Sequence, residues 1–157
     1  MQVDPRKTLL DQIDAAFEAV AAPPSNELLV ERYRRSHDPK GLAAAFHGRH
    51  WTAVPPTELF RHRGSLCTLT AVGYRAYIGA YMKHSLFDGP YAADLREYTL
   101  FSMRPRSDST ADVAEARARL AKLDTVQRTV IGRFVSHLAE ASREAQRVLT
   151  AWNVELS

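Results

Sequence analysis

The sequence predicts an all-α fold, a compact bundle of about six or seven helices in one domain over residues 1–157. Three observations carry that expectation. No stretch alternates apolar and polar residues as a half-buried strand would. Apolar residues recur at helical spacing almost throughout. Capping signals stand where those periodic segments begin.

The first helix opens at Asp4-Pro5, because Asp accepts orphan amide hydrogens and Pro at the first helical position loses nothing. Leu9, Ile13, Ala16, Phe17 and Val20 share one of its faces, and Pro23-Pro24 stops it. Ser25 is placed to cap a second helix, NELLVERYRRS. Residues 37–56 are the least regular part, with the short apolar piece GLAAAF and the break HWTAVPP. Thr57 caps a short helix, ELFRHRG.

Thr70 begins the most unusual segment, LTAVGYRAYIGAYMKHSL, which holds three tyrosines, two glycines and a histidine. DGP at 88–90 is a turn, and AADLREYTLFSM is a helix followed by the polar loop RPRSDS. Ser109 and Asp112 give a capping signal for ADVAEARARLAKL. Asp124 with Gln127 opens a long amphipathic C-terminal helix, expected over roughly 125–153. Its apolar stripe runs from Val126 through Phe134 and Leu138 to Trp152, opposite a charged face.

With 157 residues, 45% hydrophobic and 25% charged, the chain can bury a core without disulfide or metal support. Cys67 is its one cysteine, so an intrachain disulfide and a cysteine-built zinc cage are excluded. The N-terminus lacks the order of a signal peptide, and no apolar run reaches bilayer length. The expected location is cytoplasmic, with no membrane partner.

The formal charge is only +3, but residues 31–63 carry seven basic side chains against three acidic ones. Arg32, Arg34, Arg35, Arg61 and Arg63, interleaved with Tyr33, Phe46, Trp51 and Phe60, have the residue types of a nucleic-acid surface. A local excess this small is weak for phosphate-driven affinity. A solvated surface with local ion pairs explains the same residues.

On the 70–87 helix, Tyr74, Tyr77, Tyr81 and His84 span one broad face, with Arg75 near enough to hold an anion. These five are the candidate ligand-binding residues. Val72, Ala76 and Gly79 form a small-residue strip roughly opposite. Aromatic stripes at helical spacing are more often core, their hydroxyls bonded to neighbouring backbone. Glycine inside a helix costs about 1 kcal/mol against alanine, so Gly73 and Gly79 need a packing reason.

Other chemistry is thin. His47, His50, His62 and Cys67 match no established metal spacing, and no metal or cofactor is expected. Cys67 as a nucleophile would need His62 or His84 as its base, yet it reads better as a small buried hydrophobe. Asp94 and Glu97 could share acid–base work but are commonplace helix carboxylates. Phosphate loops, GxSxG elbows and HExxH are all missing.

Taken together, IDAAFEAV, HWTAVPPTELFRHRGSLCTLTAVGYRAYIGAYM, YTLFSM and LDTVQRTVIGRFVSHL resemble an uncharacterised bacterial domain-of-unknown-function family. The resemblance covers most of the chain. Its pattern places a tryptophan, here Trp51, before a G-aromatic-R-x-Y core matched by Gly73, Tyr74, Arg75 and Tyr77. Ala71-Val72 stand where the pattern has Pro-Glu, and Gly79 where it has a proline. The resemblance implies a compact helical domain and transfers no activity.

Three functions therefore remain. The first is a non-enzymatic binding or adaptor protein acting through a protein partner, immunity to a toxin being one version. A basic chain is a poor mimic of nucleic acid, which weighs against inhibition of a nuclease toxin. The second is a small-ligand binder or enzyme using the Tyr/Arg/His face. The third is weak nucleic-acid binding through 31–63.

Overall fold

A computed structural model describes residues 2–24, 27–30 and 39–156. The described residues hold α1 (Pro5–Phe17), α2 (Pro39–Phe46), a 3-10 turn at Trp51–Ala53, α3 (Pro56–Arg61) and a second 3-10 turn at Arg63–Thr68. Then come α4 (Ala71–Ser85), α5 (Ala92–Phe101), α6 (Thr110–Lys122), α7 (Thr125–Leu138) and α8 (Arg143–Leu156). The fold is all-α, and the described residues contain no strand, only an isolated antiparallel bridge between Leu29 and Leu69.

Four of the expected caps stand where the sequence puts them, but Thr57 lies inside α3, which starts after Pro55 with no side-chain cap bond because Pro56 already fits the first helical turn. Asp4 accepts from the Arg6 amide, Thr70 from Gly73, Ser109 from Asp112, and Asp124 with Gln127 closes a full capping box. Each cap satisfies helix donors that would otherwise lack partners, worth about 1 kcal/mol.

Three segments differ from expectation. α1 ends at Phe17, ahead of Pro23-Pro24, because the Trp51 indole and the His50 ring take the carbonyls of Phe17 and Glu18. The helix expected over 26–36 is not continuous. Leu28–Val30 run extended beside Thr68–Thr70, with Val30 N–H donating to the Thr68 carbonyl and Thr70 N–H to that of Leu28, both at 2.9 Å. Positions 25, 26 and 31–38 lie outside the described residues.

The C-terminal helix is two. Amides of Ala139 and Ala141 bond back three residues, to Ser136 and Leu138, tightening the chain out of α7. Ser142 then caps α8 by accepting from the Ala145 amide. The apolar period survives the break, with Val130, Ile131, Phe134 and Val135 buried on α7 and Ala145 and Val148 buried on α8. The turn frees α8 to pack across α5 as well as α7. The Trp152 indole donates to the Met103 carbonyl at 2.8 Å.

α4 runs through the centre, between α1, α5 and α6. Ten of its fifteen residues are buried, far more than a surface helix with one apolar stripe would show. Both glycines have their reason. A Cβ on Gly79 would lie 3.2 Å from Phe17, and one on Gly73 would lie 2.8 Å from the Leu28 carbonyl. Around α4 the core is filled by Ile13, Phe17, Phe46, Leu59, Leu66 and Phe134, all fully buried. Side chains of this size contribute about 1.5–3 kcal/mol each by leaving water. Among the described residues no helix is long and apolar enough to cross a membrane.

Candidate functional site

The five candidate residues of α4 reach five separate places. The Tyr74 hydroxyl lies 3.3 Å from Ser102 Oγ, and that oxygen in turn donates to the Thr99 carbonyl at 2.6 Å. The Arg119 guanidinium sits 5.3 Å from the Tyr74 ring centre. Burial pushes the Tyr74 phenol up from 10.0 to about 12, although Arg119 and Ser102 pull the other way.

Tyr77 donates to the carbonyls of Phe46 (2.7 Å) and Arg49 (3.0 Å), where the chain leaves α2. Its ring packs 4.4 Å from that of Phe46, and burial raises its phenol to about 12. Tyr81 donates to the His62 carbonyl at 2.8 Å, and burial raises its phenol too. Arg75 Nε donates to Gln127 Oε1. His84 is half-buried against Phe87, and burial followed by the Lys83 charge holds its imidazolium form back. Tyr74 lines a small cavity with Ser102 and Arg119; the other four do not border it.

The motif residues act as joints of the fold. Trp51 Nε1 donates to the Phe17 carbonyl at 2.9 Å. His50 Nε2 faces the Glu18 carbonyl while Nδ1 accepts from the Thr52 amide, which fixes the tautomer with its hydrogen on Nε2. Gln127, 1% exposed, accepts from Arg75 and from the Asp124 amide and donates to the Ala16 carbonyl.

Of the basic-surface candidates, Arg32, Arg34 and Arg35 lie outside the described residues. Arg61 is exposed and pairs with Glu58 at 3.1 Å. Arg63 is half-buried, its guanidinium 4.3 Å from the Phe60 ring and 5.3 Å from the Tyr98 ring. It also donates to the Phe60 carbonyl. Among the described residues, no three His, Cys, Asp or Glu side chains come close enough to hold a metal ion. Cys67 is buried, and that burial raises its thiol above the ordinary range.

Arg63 belongs to an aromatic face that the sequence reading did not single out. Tyr91 stacks on Phe60 at 4.2 Å, Phe60 on Arg63, and Arg63 on Tyr98. Beyond Tyr98 a shallow groove of about 290 Å³ is lined by Glu97, Tyr98, Phe101 and Glu144. Tyr91 and Tyr98 remain 52% and 43% exposed. The available signal was the seven-residue spacing of Tyr91 and Tyr98 beside the buried stripe of Ala92, Leu95 and Thr99.

No curated protein and no solved structure matches the chain. Over residues 5–155 it matches, and so belongs to, a family of unknown function, DUF6714.

Proposed function

We propose that this protein is a non-enzymatic binding module acting through a protein partner, and that the Phe60–Arg63–Tyr91–Tyr98 face receives it. The observation that carries this reading is the stack itself. Tyrosine and arginine dominate the energetic centres of protein interfaces, where they offer large contact area with little rotamer freedom to lose. Here the rings are already held in place by one another, so docking would order little that is now free.

The groove past Tyr98 sets the partner's chemistry. Glu144 is already held by Arg104 and Arg147, and Arg104 lies over the Phe101 ring, so the Tyr98 ring and the Glu97 carboxylate are what the groove offers an arginine or lysine of a partner segment. On this face Arg61 pairs with Glu58 and Arg63 is turned onto the Phe60 and Tyr98 rings, so both guanidinium groups are already engaged, which weighs against phosphate-driven nucleic-acid binding at this surface. In this reading the protein works in the cytoplasm, a compartment that suits its one unpaired cysteine.

The test is affinity capture from the native host with and without nuclease, comparing wild type with Tyr98→Ala and Tyr91→Ala. The expected result is one stoichiometric protein that survives nuclease and binds Tyr98→Ala roughly tenfold more weakly or worse. Capture that is unchanged in both variants, or that vanishes with nuclease, would overturn it.

A further inference from the structure

α6 buries a single residue, and that residue is a cation. Arg119 is 4% exposed, while the rest of α6 is half-buried or exposed. A core-facing helix position is ordinarily apolar, because an isolated buried charge is expensive unless an opposite charge and hydrogen bonds meet it. Among the described residues Arg119 has no carboxylate partner. One N–H donates to the Ser102 carbonyl at 3.3 Å, and the guanidinium lies over the Tyr74 ring. The Ser102 bond caps the C-terminus of α5, which accounts for one of five donors.

The cavity beside Arg119 leaves about 40 Å³ for the centres of water-sized guests, room for a few waters or for one guest of a few heavy atoms. Its polar lining is Tyr74, Ser102, Arg117 and Arg119, and its remaining wall is apolar, with Val113, Leu123 and Trp152 among it. The charges around this part of the core are mainly positive. Arg119, Arg106 and Arg104 each act on the nearby Cys67 thiol in the direction that favours an anion, with Asp112 opposing. Tyr74 and Ser102 direct their protons along the chain toward the Thr99 carbonyl, so the donors facing a guest belong to the buried Arg119 and the exposed Arg117.

We propose that this cavity is a binding site for a short-chain carboxylate, its carboxylate on the Arg119 guanidinium and its tail against Val113, Leu123 and Trp152. This site is separate from the aromatic face. Amphiphilic shape is the reason for the ligand class. A fully hydrated inorganic anion would leave the apolar wall unused, and a neutral hydrocarbon would leave the guanidinium uncompensated.

The probes are propionate and butyrate at constant ionic strength, with butyramide and chloride as neutral and inorganic comparisons. The expected result is a saturable rise in Tm with the two carboxylates and none with butyramide or chloride. Trp152 borders the cavity and is one of only two tryptophans, so its emission should change over the same concentration range. Arg119→Met should weaken the response roughly tenfold or more, by loss of a charge-assisted pair. Ala116→Leu, which fills the cavity and leaves Arg119 in place, should abolish it and covers the case in which Arg119→Met does not fold. Equal responses to butyrate and butyramide, no saturable rise in the wild type, or an undiminished response in Ala116→Leu would each overturn the proposal.

Discussion

Arg75 Nε donates to Gln127 Oε1 over 3.1 Å, joining the middle of the central helix to the first turn of α7 across 52 positions of sequence. The same carboxamide oxygen closes the Asp124 capping box, and its nitrogen donates to the Ala16 carbonyl near the end of α1. Three helices thus meet at one buried side chain.

Replacing Gln127 with Leu keeps the volume and removes every one of those partners. An unmet buried donor or acceptor costs about 1–3 kcal/mol, and water can still reach some of the released groups. The expected loss is about 2–4 kcal/mol, read as a lower urea midpoint with an unchanged slope. Arg75→Met should lose only about 1 kcal/mol, because Gln127 keeps its other bonds. Equal losses in the two variants would show that Gln127 is not the hub.

The glycines of α4 and α7 make opposite predictions from the same substitution. Gly73→Ala gains helix propensity, yet its Cβ would meet the Leu28 backbone carbonyl at 2.8 Å, which no side-chain rotation can relieve. That variant should be less stable than wild type by about 1–3 kcal/mol. Gly132, inside α7, has nothing within 4 Å of the added carbon. Gly132→Ala should therefore be more stable by up to about 1 kcal/mol. Thermal unfolding of the pair checks both signs. A stabilised Gly73→Ala would mean that the 27–30 segment does not lie against α4.

How far the fold could be read from the sequence follows from the range of the forces involved. Asp4, Thr70, Ser109 and Asp124 announced their helices because a cap bonds within a few residues of itself. The end of α1 was misplaced because the groups that take its carbonyls, His50 and Trp51, lie more than thirty residues on. The break before Ser142 was hidden because the apolar period continues through it, and only packing on α5 shows that α8 turns. In the tyrosine helix the residue types were legible, but their partners were not. Tyr74, Tyr77 and Tyr81 bond to elements that sequence spacing cannot place beside them. Arg119 looked like one more arginine in a charged helix, since nothing local marks a cation as buried.

His84 should make stability fall in mild acid. Burial and the neighbouring Lys83 charge lower its folded pKa below the ordinary 6.5, so the unfolded chain takes up the proton first as pH drops. Its contribution is therefore present above about 6.5 and lost as pH falls through the lower folded value. His84→Gln removes that contribution. Urea unfolding at about pH 7.5 and about pH 5.5 should show a smaller drop for the variant than for wild type. Identical drops would place the acid sensitivity elsewhere.

The buried tyrosines set the alkaline limit. Tyr74 and Tyr77 ionise at about 12 in the folded chain against 10.0 ordinarily, so the unfolded chain releases those protons first as pH rises. Their contribution is whole below pH 10 and is lost between there and about 12, with a slope approaching one proton for each tyrosine. Tyr74→Phe isolates one of them at small structural expense. Phenylalanine keeps the ring beside Arg119, and Ser102 keeps its bond to the Thr99 carbonyl. The variant should lose about 0.5–1.5 kcal/mol at neutral pH, and its guanidinium midpoint should fall less steeply than that of wild type above about pH 10. Tyr77→Phe is the harsher change, since it strips a donor from two carbonyls at once. An alkaline slope in Tyr74→Phe equal to that of wild type would show that the Tyr74 hydroxyl is in contact with water rather than sealed between α4 and the Ser102 turn.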